Sequence, residues 1–294
     1  MDIFLQLLVS GVATGGVYAL IALGFVLIYK ATHIINFATG EFMMIGAYLC
    51  YTFLALSGIP IIPTFILVML CAAVLGFLVE RTILRHMLGQ PVISIIMVTI
   101  GLSSILVGLT EIIWSSQFES FPPLFPRAPL DLGFVLVRST LAYGFAISMA
   151  AVAVFALIFK YAKAGVAMRA TAGDQMAAFS MGINVKTMFT FAWALGAIAA
   201  ALGGVIVGNI GGISPVLGAV GLKIFPVVIL GGLDSIGGAV VGGFIIGVLE
   251  NLAGGYLDPH FGGGVKEVAP FVIMVLILLV KPHGLFGKED IERL

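Results

Sequence analysis

Five long stretches of this chain carry no charged side chain: Ile3 to Tyr29, Phe42 to Val79, Met87 to Thr110, Ser139 to Phe159 and Thr187 to Leu222. A helix needs roughly 20 apolar residues to cross a hydrocarbon core ~30 Å thick, so each stretch is long enough to span a bilayer and two are long enough for more. Within lipid every backbone N–H and C=O must be paired inside the protein, which leaves only helices and closed barrels. The runs lack the alternation of a barrel strand, so they are helices. Composition agrees: 61% of residues are hydrophobic and 10% charged, where a soluble domain carries about 25% charged residues. The expectation is an all-α, polytopic membrane protein. Asp2 and the absence of a basic n-region, with an apolar run too long for a signal h-region, mark the first segment as a retained membrane helix.

Gly and Pro divide the long windows. Ser57-Gly58-Ile59-Pro60-Ile61-Ile62-Pro63 breaks the second and predicts helices near 34–56 and 61–84. Past Leu222, too few apolar residues separate Lys223 from Gly231-Gly232-Leu233-Asp234 for a full crossing, which predicts a half-helix near 224–233. Segments 235–252 and 265–281 complete a count of eight or nine. Ten of the fourteen Lys and Arg residues, Lys30, Arg81, Arg85, Lys160, Lys163, Arg169, Lys186, Lys281, Lys288 and Arg293, then fall in turns that share one side. By the positive-inside rule that side is cytoplasmic. Residues 1–294 thus read as one transmembrane domain with an outer N-terminus, a periplasmic loop over 115–138, a cytoplasmic loop over 160–187 and a cytoplasmic C-terminus.

Chemistry is conspicuous by what the sequence lacks. No G-x-x-x-x-G-K-[ST] loop is present to cradle a nucleotide, nor H-E-x-x-H, nor G-x-S-x-G, and no His or Cys cluster suits a metal. No catalytic residue, metal ligand or cofactor is therefore assigned. Cys50 and Cys71 stand apart in apolar runs as small hydrophobes. Zero formal net charge gives no reason to expect a nucleic-acid partner. Glu41, Glu111, Lys223, Asp234 and Glu250 lie near the ends of apolar runs. They are either interfacial and locally paired, or the coupling groups of an ion-driven carrier. Gly11, Gly15 and Gly16, Gly203 and Gly204, and Gly238, Gly242, Gly243 and Gly247 recur at spacings that let helix backbones approach. Close packing and helix sliding are both open readings, and a passive channel for a small neutral solute is a third use of such segments.

The longest cytoplasmic stretch is Lys160 to Thr187. Asp174 is a good N-cap, Gln175 to Met181 can form two turns, Gly182 suits the left-handed residue that ends them, and Asn184 can start the next membrane helix. A short helix held rigidly between two membrane helices is suited to docking on another protein; a surface-lying amphipathic loop is the alternative.

At these residues the chain resembles the LivH-like permease subunits of branched-chain amino acid ABC importers. The likeness rests on Ile35-Asn36-Phe37-Ala38-Thr39-Gly40-Glu41, on Arg169-Ala170 followed by Met181-Gly182-Ile183-Asn184, and on Leu230-Gly-Gly-Leu-Asp-Ser-Ile-Gly-Gly. Many relatives carry a larger polar residue such as His at the position of Thr39. The resemblance implies a bacterial inner-membrane importer with a second homologous permease, two cytoplasmic ATP-binding subunits holding ATP and Mg, and a periplasmic substrate-binding protein. It implies that Arg169, Asp174, Ala178, Met181, Gly182, Ile183 and Asn184 belong to a coupling helix seated on the ATPase. Asn36, Thr39 and Glu41, with Asn209 and Asp234 behind them, are the candidate substrate path. Broader relatives carry urea, amides or aromatic acids, so an apolar amino acid is the first expectation among several.

Overall fold

The computed structural model describes residues 3–87, 89–122, 124–126, 128–131, 133 and 135–287; Lys288 and Arg293 lie outside them. Among the described residues, seven helices are long and apolar enough to cross a membrane. They comprise α1 (Ile3–Thr32), α2 (Thr39–Tyr51, extended by a π-helical turn to Leu56), α3 (Ile61–Thr82, with a 3₁₀ turn to Met87) and α4 (Val92–Trp114). After a short hairpin of β1 (Leu130–Asp131) and β2 (Leu136–Val137) follows α5 (Ser139–Tyr161). Two helices outside the spans come next, α6 (Lys163–Gly173) and α7 (Gln175–Ser180), then α8 (Val185–Gly211). A shorter apolar piece, α9 (Leu217–Val220) joined through a 3₁₀ turn to α10 (Ile224–Gly231), precedes the seventh long helix, α11 (Ile236–Tyr256). The chain closes with α12 (Asp258–Phe261) and α13 (Val265–Val280).

Helix α1 is the axis of the molecule. It is apolar on every face and its middle is fully buried from Gly15 to Ile28, as expected of a helix enclosed by others rather than by lipid. Backbone proximity makes this possible on the α11 side: a methyl at Gly15 would lie 2.7 Å from the Gly243 carbonyl oxygen, and one at Gly247 2.5 Å from the Gly15 Cα. On the α8 side Gly24 faces Gly196 and Ala199. The small-residue spacing therefore serves close packing here. Outer helices α3, α4, α5 and α13 instead expose large apolar side chains, including Ile66, Ile105, Ile112, Leu157 and Leu279, which is the surface a bilayer would cover.

Contacts define two ends. At the basic end the Lys30 Nζ donates to the Asp234 carbonyl at 2.9 Å and lies over the Phe159 ring. Arg85 grips the buried Glu80 in a bidentate pair at 2.9 and 3.1 Å, and Nη2 also reaches Thr190 Oγ1, tying α3 to α8. At the opposite, loop end Tyr51 Oη donates to Glu119, Trp114 Nε1 to Thr52, and Glu119 exchanges two backbone bonds with Ile213.

Three boundaries differ from the sequence expectation. Helix α2 begins at Thr39 rather than near 34, because His33 adopts φ +54° and the chain over 33–38 is irregular. The half-helix expected after Lys223 is α10, Ile224–Gly231, but α9 and the 3₁₀ turn extend the apolar piece back to Leu217. At ~1.5 Å per residue it is still too short for a ~30 Å core. Residues 163–173 form a helix of their own where the sequence suggested only the one that follows.

Candidate functional site

The segment at the basic end is built from its caps. Asp174 has extended backbone, and its Oδ1 accepts the Met176 N–H at 2.8 Å and the Ala177 N–H at 3.0 Å, opening α7. Gly182 closes it at φ +84°, with the Ile183 N–H donating back to the Ala178 carbonyl at 3.0 Å. Asn184 Oδ1 then accepts the Thr187 N–H and starts α8. Ala178 faces inward, whereas Met176, Phe179 and Met181 are 78%, 70% and 83% exposed. Met176 and Phe179 on this six-residue helix, with Met181 just past its end, form an apolar surface patch outside the spans that water disfavours. Behind α7 a groove of about 730 Å³ runs between Phe179, Ile183 and Phe189 and the basic ends of α1 and α4 at Ile34 and Ile95. Arg169 is already engaged: its guanidinium donates to the Phe159 carbonyl and covers that ring, so it fastens α6 to the end of α5.

The second candidate group gathers where α2 begins. Asn36 is fully buried; its Oδ1 accepts the Ala38 N–H at 3.0 Å while Thr39 Oγ1 donates to the Asn36 carbonyl at 2.9 Å. Two residues on, Glu41 Oε1 accepts from Ser103 of α4 at 2.8 Å. Asn36 Nδ2 and Glu41 Oε2 have no protein partner, so both retain hydrogen-bonding capacity in a buried place. A cavity of about 300 Å³ lies against Glu41, walled by Phe37, Ser103, Pro215, Gly218 and Leu222. Glycine is required there, since a methyl on Gly40 would overlap the Gly218 carbonyl.

Asn209 and Asp234 do not join this group. Asn209 sits in the last turn of α8, half-buried, toward the loop end. Asp234 lies in the α10–α11 turn at the basic end, where its carbonyl holds Lys30. Their sequence signal was that of polar residues near apolar runs, which carries no depth.

Lys223 and Glu250, read from sequence as either interfacial and locally paired or as coupling groups of a carrier, belong to a third polar group that also includes Glu267. Lys223 Nζ lies 2.9 Å from Glu250 Oε1 on α11 and 2.7 Å from Glu267 Oε2 on α13. Lys223 and Glu250 are 8% and 1% exposed, and among the described residues Glu250 Oε2 has no well-aligned hydrogen-bond donor. The pair borders a cavity of about 630 Å³. A charge pair joining segments this far apart in sequence is invisible to local pattern. Among the described residues no cluster of His, Cys, Asp or Glu suits a metal ion.

Seven apolar spans, buried polar groups beside internal cavities and a capped helix displayed outside the bundle define a multi-pass membrane permease. The chain belongs to the family described as branched-chain amino acid transport system / permease component, whose model matches residues 7–281. It is 32% identical to the high-affinity branched-chain amino acid transport system permease protein LivH of Salmonella typhimurium, over 99% of this chain and 97% of the relative. It is 31% identical to the corresponding permease protein BraD of Pseudomonas aeruginosa, over 99% and 98% of the two chains. A probable branched-chain amino acid transport permease protein LivH of Methanocaldococcus jannaschii is 29% identical over 97% and 93%. The chain is thus a permease component of a transport system.

Proposed function

We propose that this chain is the transmembrane permease subunit of an ABC importer, passing branched-chain or other apolar amino acids from a periplasmic binding protein to the cytoplasm of a bacterium. It works beside a second, homologous permease and above two ATP-binding subunits, which hold the ATP and Mg that the chain has no loop to bind. The basic end is cytoplasmic and the loop end periplasmic, in keeping with where Lys and Arg gather. One observation carries the reading: α7, capped at both ends, displays Met176, Phe179 and Met181 to the side where an ATPase would stand. Asp174, Ala178, Gly182, Ile183 and Asn184 hold that helix in place, Met181 contributes to the contact, and Arg169 braces it through α5. The polar start of α2, with Asn36, Thr39 and Glu41, lies beside the solute's way.

Proteoliposomes containing the chain with its sister permease, both ATPases and the binding protein test this. ATP-dependent uptake of leucine, isoleucine or valine is the expected result, with urea, amides and aromatic acids as comparison solutes. Accumulation by this chain alone under a proton or sodium gradient, or downhill flux through it without ATPases, would replace the reading with a carrier or a channel.

A further inference from the structure

A polar cavity outside the α2 region borders the Lys223–Glu250 pair. Its about 630 Å³ falls within the range of small-molecule sites, roughly 300–1,000 Å³. Ile3, Gln6 and Arg138 place its mouth at the loop end, and Lys223 and Glu250 form its floor. The walls are mixed: Thr14, Tyr18 and Asn251 are polar, whereas Val17, Leu141 and Ile210 are apolar.

Three properties of the charges on this floor point to a ligand carrying both signs. First, Glu250 is 1% exposed, and among the described residues its Oε2 has no well-aligned hydrogen-bond donor, although the Tyr18 hydroxyl lies close to the carboxylate, so a buried carboxylate keeps accepting capacity beside the cavity. Leaving such a group unfilled is costly, and a donor from a ligand would recover the loss. Second, Lys223 is shared, and its second partner Glu267 has a side chain 66% exposed, in the first turn of α13. A carboxylate held at the rim by one ammonium is exchangeable for another carboxylate. Third, the two functions lie on one cation, since Glu250 and Glu267 both contact the same Lys223 Nζ.

We propose that this cavity binds an α-amino acid as its zwitterion. The ligand ammonium donates to Glu250 Oε2, its carboxylate replaces Glu267 on Lys223, and its apolar side chain lies along Val17, Leu141 and Ile210. Glu267 then acts as an internal stand-in for the ligand carboxylate, holding the lysine neutralised while the site is empty. This deepens the proposed transport function, and rests on it, by naming the chemical class that the membrane subunit itself recognises.

The test uses the full chain in lipid nanodiscs with Ser10→Cys as a reporter, since Ser10 lines the same cavity whereas the native Cys50 is buried. A membrane-impermeant, positively charged thiosulfonate is the label, and the unsubstituted chain sets the background from Cys71. Leucine is expected to slow labelling, whereas 4-methylpentanoate, without the ammonium, and isopentylamine, without the carboxylate, are not. Glu250→Gln should weaken protection at least about tenfold, the scale of a lost charge-assisted bond. Glu267→Gln should strengthen protection, because it removes the competing carboxylate at an exposed position that folding tolerates. Equal protection by leucine and both analogues would reduce the cavity to an apolar space, and no protection by leucine would remove the proposal. Weaker protection in Glu267→Gln would make the cluster merely structural. The analogue comparison needs no change at Glu250, so it decides even if that variant fails to fold. Protection by leucine without ATP-driven uptake in the assembled complex would overturn the transport reading alone; uptake without protection would overturn this inference alone.

Discussion

Replacing Asp174 by Ala removes the acceptor that opens α7. Its Oδ1 holds the Met176 and Ala177 N–H groups at 2.8 and 3.0 Å, so both become orphan donors. Isolated helices shorter than about 12–15 residues are marginal in water, and α7 has only six, so its order depends on caps and on Ala178 docking inward. Loss of an Asp cap costs about 1 kcal/mol, which changes the ratio of ordered to frayed α7 about fivefold. Amide exchange at Met176 and Ala177 should accelerate by that factor, and ATP hydrolysed per solute imported should rise in the assembled complex. Asp174→Asn separates cap from charge, since Asn caps about as well as Asp; it should restore both values. Unchanged exchange in Asp174→Ala would refute the capping argument. Faster exchange with unaltered ATP per solute would refute the part assigned to α7 in coupling.

Gly182→Val forces a β-branched residue to φ +84°, at a cost of roughly 1–2 kcal/mol; uptake should fall while the amount of inserted chain stays constant, and full uptake would show that the turn tolerates displacement. Gly15→Leu would drive α1 from α11, because even a methyl there lies 2.7 Å from the Gly243 oxygen and 2.8 Å from the Phe244 Cα. Overpacking of this kind costs about 1–3 kcal/mol, read as a lower midpoint of unfolding in detergent. Gly101→Leu, where a methyl meets nothing within 4 Å, should leave the midpoint in place. Arg169→Glu removes the bond to the Phe159 carbonyl and the ring contact together; faster exchange across Lys163–Gly173 should accompany lost uptake, whereas intact protection with failed ATPase binding would move Arg169 to the docking surface.

The membrane helices were legible because lipid imposes a minimum length and excludes charge, and both are local properties of sequence. Asp174, Gly182 and Asn184 were legible for the same reason, since a cap acts on amides two or three residues away. What escaped was whatever depends on a partner far along the chain. Lys223 looked like an interfacial boundary because a lone ammonium should sit at an interface; it does precede α10, yet Glu250 and Glu267 hold its ammonium inside the protein. Asn36 and Glu41 were found together because they lie on one short stretch. Asn209 and Asp234 had only polarity to recommend them, and the fold sends them to opposite ends. Helix α6 escaped because its residues, Ala- and Gly-rich with two basic side chains, carry weak periodicity, and its position is set by contacts with α5 and α8.

The enclosure of α1 also has a bearing on how the protein is made. Helix α1 leaves the ribosome well before α8 and α11, which supply much of the surface that finally buries it, and α11 begins only at Ile236. Until then its glycine faces must rest against lipid or an insertion factor, with Gly11 and Gly15 unoccupied by the backbone they are shaped to receive. Packing around α1 is therefore complete only once α11 has been made. A nascent chain stalled before α11 would present an unpartnered α1 to the quality-control proteases of the membrane, however well the intervening spans had inserted.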